Sequence, residues 1–591
     1  MGTIDITVFI IYLLGILGVG SIFSRMKNTK EMFAAGGQSP WWLSGLSAFM
    51  TTFSAGTFVI WGGIAYRFGL VGVSILVVIG FSAILVGRFL AGKWKSFGYD
   101  SAAEFLNDRF GKSLVRFYTL LQGLVGVFTM GGAVYALAVV ITALIPLPEG
   151  HLLADPSTGY LSVNIASLTI CVMVIIITFG GGLWAVLITD ALQFIILTAS
   201  VLIVVPLIVM EVGGPTEMLR TAPPGFLNLV NGEFTWIFLV GWGVVFFFKI
   251  GGEWAYVQRF VCVPTSKDAK KSTYLFGILY IISPIIWMLP PMAYRWVDPN
   301  ADYEQAYILA SQAVLPAGLL GLMIAAMCSA TASMATTQLN VFAGAFTTEI
   351  YQRLINPNAP ERELVKVGRI ITIFLGGIII AGALLIPILG TYTGYILASV
   401  AILTGPLVLP TIWGLFSRKI GIKTAWAVSI ISIIIGLTVK LGFEHGGWLA
   451  EQEILSTITL AIQANIRVTD IFVGTAFPLF MLIIAEITIK RPSEGWVKIV
   501  ANRNRYSEKM EIIPSTFPAR LCAWSTISVG IMIGIISLIN PENMLLVGGF
   551  GVGLILAGAI VLLIVGSDKK GPFPEVETAV TDSQKFEYGE T

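Results

Sequence analysis

Three ionisable residues fall inside long apolar stretches of the 591-residue chain and are its best candidates for chemistry. Lys249 is the only basic residue near the middle of such a stretch, Asp190 lies in the inner third of another, and Glu253 follows Lys249 by four residues. A charge at the centre of a membrane helix costs about 2.5–3.5 kcal/mol on insertion scales, so it usually faces a polar pathway and has a partner. We expect Asp190 to serve a cation path and Lys249 to contact a solute. The alternatives for Lys249 are a structural pairing with Asp190 or Glu253, or a side chain that extends to the inner membrane surface. For Glu253 a structural role is favoured.

Residues suited to enzymatic acid–base or metal chemistry are scarce. The chain has two histidines, His151 and His445, and four cysteines that form no CxxC pair. No HExxH or GxSxG motif stands in a suitable context. We therefore expect no enzyme activity. The formal net charge of +2 gives no reason to expect a nucleic acid partner.

The composition indicates a membrane protein with many helices. Apolar residues make up 56% of the chain and charged residues 12%, against roughly 25% charged in soluble domains. A spanning helix needs about 20 largely apolar residues. Fifteen stretches qualify: residues 4–23, 41–66, 71–90, 117–145, 163–179, 183–210, 234–256, 274–294, 315–350, 370–389, 395–416, 424–441, 471–487, 521–538 and 544–565. We predict an all-α polytopic membrane protein of about fifteen spans.

The distribution of lysine and arginine predicts how the chain is oriented in the cell membrane. Of the 36 basic residues, 29 fall in the loops after odd-numbered spans and in the tail, whereas five fall in the other loops. Loops rich in basic residues stay in the cytoplasm. The N-terminus is therefore expected outside and the C-terminus in the cytoplasm.

Two spans contain runs that favour local unwinding. Met50–Thr57 in span 2 is rich in small and hydroxyl residues, and Lys249–Glu253 in span 7 contains two adjacent glycines. Interrupted helices at corresponding positions of two halves are typical of inverted-repeat transporters. We therefore predict two five-helix repeats, at residues 39–210 and 234–416. The remaining segments are an extra helix with its loop at 1–38, additional helices at 417–566 and a cytoplasmic tail at 567–591.

Several motifs in this order resemble the sodium/solute symporter family, which includes bacterial sodium/galactose, sodium/proline and sialic acid carriers. They are Glu31–Trp42, Ala103–Leu106 with Arg109–Gly111, Phe179–Asp190 with Gln193, Gln258–Arg259, Ala325–Tyr351, and Gly414–Phe416 with Arg418. The resemblance covers about residues 4–489. It implies a leucine-transporter-type fold of 5+5 helices in inverted repeat, with one extra N-terminal and about four extra C-terminal helices. It also implies alternating access driven by a sodium gradient.

The resemblance further implies a sodium site that joins span 2 to span 9. The matching positions are the backbone carbonyls of Met50, Phe53 and Ala330, the Ser333 hydroxyl, and Met334, where the family has Ser or Thr. A thioether is a poor ligand for a hard cation, which prefers oxygen, so the site is one ligand short. Asp190 matches a family acidic residue near the sodium path and is expected to compensate.

The solute site is predicted where the interrupted spans meet. Its expected lining residues are Thr52, Ser54, Thr57, Phe246 and Lys249. The polar residues that bind hexose in the sugar carriers are not reproduced, and three possibilities stay open. A carboxylate or sialic-acid-like solute would pair with Lys249, a sugar or glycoside would stack on aromatic side chains, or Lys249 would replace the coupling cation.

The resulting prediction is a sodium-coupled symporter of a small organic solute, whose partners are that solute and the lipid bilayer. Sodium is the only expected metal ion, and a single copy is expected to function. The alternative is a sodium-independent or proton-coupled transporter, or a solute sensor with a degenerate sodium site.

Overall fold

The computed structural model describes residues 2–22, 35–148, 150–178, 183–385, 392–444, 446–506 and 516–566. Regular structure in these residues is helical, apart from two isolated bridges in the loop around residues 146–161. The predicted all-α class is confirmed. Residues 23–34, residues 179–182 of one motif and the predicted tail at 567–591 lie outside the described part of the chain.

A helix lies in each of the fifteen stretches predicted from the sequence. They are α1 (Thr3–Ile22), α2a (Trp41–Met50) and α2b (Thr57–Trp61 with Gly62–Phe68), α3 (Leu70–Ser96), α4 (Lys112–Thr142), α5 (Val163–Thr178), α6 (Leu183–Glu211), α7a (Trp236–Gly252) and α7b (Trp254–Val261), α8 (Ser266–Val297), α9 (Leu319–Ile355), α10 (Glu361–Leu385), α11 (Tyr392–Gly414), α12 (Ile422–Phe443), α13 (Ile466–Thr488), α14 (Phe517–Ile539) and α15 (Met544–Val565). Among described residues, ten helices are long and apolar enough to cross a membrane, or eleven with the two halves of α7 counted as one span. The total of fifteen spans stays a prediction.

Hydroxyl side chains accompany the interruption between α2a and α2b. The Thr52 hydroxyl donates to the carbonyl oxygen of Phe49 at 2.6 Å, and the Ser54 backbone N–H donates to the Thr57 hydroxyl at 3.2 Å. Side chains that bond the nearby backbone in this way compete with the helical hydrogen-bond ladder. Regular helix is interrupted at residues 51–54, where the sequence predicts unwinding.

The interruption in α7 centres on Glu253. α7a ends at Gly252, α7b begins at Trp254, and the two axes bend by 55°. Glu253 itself has an extended backbone, with φ −66° and ψ 134°. Gly252 permits close packing against α11, because a Cβ atom there would lie 2.6 Å from the Val408 side chain. The second predicted break is therefore present.

Facing glycines bring four pairs of helices into backbone contact. The pairs are Gly80 and Gly277 between α3 and α8, Gly131 and Gly382 between α4 and α10, Gly405 and Gly474 between α11 and α13, and Gly530 and Gly551 between α14 and α15. A Cβ added at Gly382 would lie 2.3 Å from the carbonyl oxygen of Phe128. Small residues at helix contacts are the usual means of tight packing in a membrane.

The first helix is joined to α9 by the buried carboxylate of Asp5. Its Oδ1 accepts hydrogen bonds from the backbone N–H groups of Gly318 and Gly321, at 2.7 and 3.1 Å. These groups lie at the start of α9, where helix N–H groups have no partner within the helix and a negative charge is favourable. Asp5 thus caps α9 from a distant part of the chain.

Candidate functional site

A cavity of about 220 Å³ lies where the breaks in α2 and α7 face α3, α4, α8, α9 and α11. Its lining includes all five residues predicted to contact solute: Thr52, Ser54, Thr57, Phe246 and Lys249. The wall combines hydroxyl, amide, aromatic and aliphatic side chains with one lysine and one glutamate. The structure therefore brings together, in one chamber, residues that are almost 200 positions apart in the chain.

The two charged lining residues stand one helical turn apart. Lys249 Nζ lies 3.9 Å from Glu253 Oε2, and each side chain is 23% exposed. Glu253 Oε1 also accepts a hydrogen bond from Gln338 Nε2 at 3.1 Å. Lys249 lies over the Phe246 ring, 5.5 Å from its centroid. Glu253 is therefore part of the cavity wall. The sequence expectation of a structural role near the inner end of the span did not place it there.

Aromatic side chains of α2b and α7a form one side of the cavity. The Trp242 ring lies 5.0 Å from the Phe246 ring and 6.1 Å from the Trp61 ring, measured between centroids. Trp242 is 1% exposed, and its indole N–H has no hydrogen-bond partner in the described structure. A buried indole N–H usually has a partner. Among the described lining residues, no other buried side-chain nitrogen or oxygen lacks a partner.

The small hydroxyl residues of the α2 break shape the backbone as well as line the cavity. The Thr57 hydroxyl donates to the carbonyl oxygen of Thr52 at 3.3 Å, and the Ser54 hydroxyl accepts from the Gly56 N–H at 3.1 Å. The break is also joined to α9, because the Ala55 N–H donates to the Thr331 hydroxyl at 3.0 Å. The junction of α2 and α9, where the resemblance implies a cation, is thus a direct contact.

Asp190 of α6 lies at the same junction. Its two carboxylate oxygens accept hydrogen bonds from the hydroxyls of Ser47, at 2.5 Å, and Ser333. The structure therefore places two of the predicted cation residues, Asp190 and Ser333, in contact with each other. Met334, the next residue, lines the solute cavity.

The charged partner of Asp190 is Arg259 of α7b, which corrects the possible pairing of Asp190 with Lys249. Arg259 Nη2 lies 3.9 Å from Asp190 Oδ2, and the two side chains are 0% and 3% exposed. The guanidinium also donates to the hydroxyls of Ser47 and Thr337, at 3.2 and 3.0 Å. Lys249 is therefore not the only basic residue inside the helix bundle. The available signal in the sequence was the motif Gln258–Arg259, which is one of those shared with the family and could have marked this arginine as a functional candidate.

The comparisons with known proteins agree with this architecture. A family model described as Sodium:solute symporter family matches residues 32–432. The chain belongs to this family. The expectation drawn from the sequence motifs is thereby confirmed, and the chain is a multi-pass membrane transporter.

Curated relatives with similar sequences are sodium-coupled carriers. A sodium/glucose cotransporter of Vibrio parahaemolyticus is 27% identical over 74% of this chain and 85% of its own length. A sodium/myo-inositol cotransporter 2 of Sus scrofa is 26% identical over 73% of this chain and 69% of its own length. The sodium/sialic acid symporter NanT of Aliivibrio fischeri is 24% identical over 74% of this chain and 88% of its own length. These relatives do not favour the alternative of a sodium-independent carrier or a sensor.

Two solved structures share the fold. The substrate-bound, outward-open state of a Na⁺-coupled sialic acid symporter matches with a TM-score of 0.63 and 22% identity, over 81% of this chain and 98% of that one. Mhp1, a nucleobase-cation-symport-1 family transporter, matches in a closed conformation with a TM-score of 0.50 and 13% identity, over 80% and 99% of the two chains. The predicted leucine-transporter-type fold is confirmed.

Proposed function

We propose that this transporter couples the entry of sodium to the uptake of a small organic solute across the cell membrane, by alternating access. The observation that carries the proposal is the meeting of both helix breaks, in α2 and α7, at one cavity that contains all five predicted solute residues. Unwound backbone at membrane depth is tolerated where it lines such a cavity, and there it offers groups for ions and solutes.

The coupling cation binds between α2 and α9 in this proposal. The proposed ligands are the backbone carbonyls of Met50, Phe53 and Ala330, the hydroxyl of Ser333 and the carboxylate of Asp190. The contact of Ser333 with Asp190 supports this set, because it joins two oxygen donors of the kind that a hard cation prefers. Met334 occupies a matching ligand position but is not counted as a ligand, because a thioether is a poor ligand for a hard cation.

Binding of sodium would favour one conformation of the bundle, because a ligand shifts an equilibrium only by its different affinities for the two states. A cation held by both α2 and α9 stabilises the arrangement in which they are in contact. The solute then binds beside the α2 break, at Thr52, Ser54, Thr57, Phe246 and Lys249. The relatives carry glucose, myo-inositol and sialic acid, so sugar-like and carboxylate solutes are the two classes to test.

Transport by the purified protein in proteoliposomes tests the proposal. The probes are radiolabelled D-glucose, myo-inositol and N-acetylneuraminate, each offered with an inward sodium gradient or with potassium in its place. We expect at least one probe to accumulate above its outside concentration with sodium and not with potassium. Equal uptake in both cations, or accumulation of no probe, would contradict the proposal as stated.

A further inference from the structure

We infer that Lys249 and Glu253 act together as a neutral recognition pair, which makes the cavity select solutes of zero net charge that offer both a hydrogen-bond donor and an acceptor. The inference rests on the proposed function and narrows its solute class. It selects against solutes with a net negative charge, although one of the known relatives carries sialic acid. Lys249 and Glu253 become specificity-determining residues.

The geometry leaves hydrogen-bonding capacity on both members of the pair. The distance from Lys249 Nζ to Glu253 Oε2 is 3.9 Å, which is too long for a hydrogen bond. Glu253 Oε1 accepts from Gln338, whereas the only group recorded near Oε2 among the described residues is the distant ammonium of Lys249. An ammonium group has three donors and a carboxylate oxygen accepts more than one bond. A solute hydroxyl between the two residues could accept from Lys249 and donate to Glu253.

The charges of the wall decide which solutes gain from binding. Among the described lining residues, Lys249 and Glu253 are the only charged ones, so their formal charges cancel. A monoanion that approaches Lys249 also lies near the Glu253 carboxylate. Its attraction to the ammonium group is therefore offset by its repulsion from the carboxylate. Its loss of hydration is then uncompensated, which is the usual obstacle to burying a charge. A neutral polyol or a zwitterion avoids this cost.

The rest of the wall suits a neutral polar solute. The hydroxyls of Thr52, Ser54 and Thr57 supply uncharged hydrogen-bonding groups. The neighbouring rings of Trp61 and Phe246 supply apolar faces of the kind on which C–H groups of a ring-shaped solute pack. The hydroxyls, the rings and the charged pair line one cavity, so a single solute could contact all three.

Equilibrium binding to the full-length protein in detergent with sodium tests the inference. The probes are D-glucose, myo-inositol and the zwitterion proline as net-neutral solutes, D-glucuronate and N-acetylneuraminate as anions, and D-glucosamine at about pH 6 as a cation. We expect at least one net-neutral probe to bind about tenfold or more tightly than every charged probe.

Charge-changing variants provide the decisive comparison. Glu253→Gln leaves the wall with one positive charge, so the ratio of anion to neutral affinity should rise about tenfold. Lys249→Gln should raise the cation-to-neutral ratio instead, and the double variant should restore the preference for neutral probes. Glu217→Gln is the matched control, because it breaks the exposed pair with Arg220 away from the cavity and should change no ratio.

Several outcomes would overturn the inference. They are tighter binding of an anion than of every neutral probe by the unaltered protein, binding of no neutral or zwitterionic probe, and variants that change all affinities by one common factor. Sodium-driven accumulation of glucuronate would overturn it while leaving the proposed function intact. Selective binding of a neutral probe without sodium-driven accumulation would leave the inference intact and contradict the proposed function.

Discussion

Arg259 and Asp190 form an ion pair with almost no exposure, at 0% and 3% of their side-chain areas. The pair joins α6 to α7b, and its hydrogen bonds extend it to Ser47 of α2a and Thr337 of α9. Each charge depends on the other, because an unpaired charge in such surroundings has lost its hydration without compensation. Substituting both residues together should therefore cost less than the two single substitutions added together.

We predict that Arg259→Met and Asp190→Asn each lower the free energy of unfolding by about 3–5 kcal/mol, since each leaves a buried charge alone. The double variant should lose clearly less than the sum of the two single losses. Thermal unfolding in detergent measures all three. Arg220→Met, which breaks an exposed pair with Glu217, is the control and should cost less than about 1 kcal/mol. Strictly additive losses at Arg259 and Asp190 would show that the two charges do not support each other.

Met334 supports a second prediction at the residue scale, and it concerns the coupling ion. Met334→Ser adds an oxygen beside Ser333, and a hard cation binds oxygen better than a thioether. We expect the sodium concentration for half-maximal uptake to fall, by roughly tenfold if one good ligand is gained.

The control for that experiment is Met130→Ser. It makes the same chemical change in the same cavity, but from α4 and away from the proposed cation ligands. Its sodium titration should match that of the unaltered protein. A titration unchanged by Met334→Ser, or changed equally by both substitutions, would mean that residue 334 does not occupy a ligand position.

Among the helices, packing depends on glycines that cannot be enlarged. Gly382 of α10 contacts α4 so closely that an added Cβ would lie 2.3 Å from the carbonyl oxygen of Phe128. A Cβ added at Gly377, five residues earlier in the same helix, would lie within 4 Å of no neighbouring residue that the structure describes. The two positions therefore form a natural pair for comparison, because they share one helix and differ in their surroundings.

We predict that Gly382→Ala lowers the free energy of unfolding by about 1–3 kcal/mol or more, since backbone atoms must move apart to admit the methyl group. Gly377→Ala should leave it unchanged or slightly raised, because alanine is the better helix former. Unfolding transitions followed by intrinsic tryptophan fluorescence would separate the two variants. Equal effects would show that the close contact between α4 and α10 does not govern stability.

The elements also show how far sequence reasoning extends. Apolar stretches located every long helix, because burial in lipid demands about 20 apolar residues whatever the fold. The breaks in α2 and α7 were predictable from hydroxyl and glycine runs. The positions of Glu253 and Arg259 in the structure were not predictable, because each residue lies near the end of a span. For Arg259, counting basic residues in loops does not distinguish a hydrated arginine from one that is buried against a carboxylate on another helix.

For the molecule as a whole, the unequal distribution of basic residues between alternate loops predicts orientation. Asp302, between α8 and α9, is expected outside the cell, and Lys498, after α13, is expected in the cytoplasm. Both residues are exposed, whereas the native cysteines are buried and should react little: Cys171, Cys262, Cys328 and Cys522. The surface of the folded protein is therefore suited to labelling with single introduced cysteines.

We predict that a membrane-impermeant maleimide labels Asp302→Cys on intact cells, and labels Lys498→Cys only after the membrane is opened. The physical reason is that basic loops are retained on the cytoplasmic side during insertion. The unaltered protein serves as the background control. The reverse pattern would mean that the chain crosses the membrane in the opposite sense, and labelling of both positions on intact cells would contradict the alternation of the loops.

The carboxylate of Asp5 has a consequence for the design of experiments on this protein. It occupies the first N–H groups of α9, the same helix that carries Ser333 and Met334. A fluorophore attached beside residue 2 would therefore lie close to the N-terminal end of α9 and report the displacement of this helix during a transport cycle. A bulky fusion partner at the same place would strain the contact between Asp5 and the N-terminal end of α9, so it would disturb the movement that the fluorophore is meant to report.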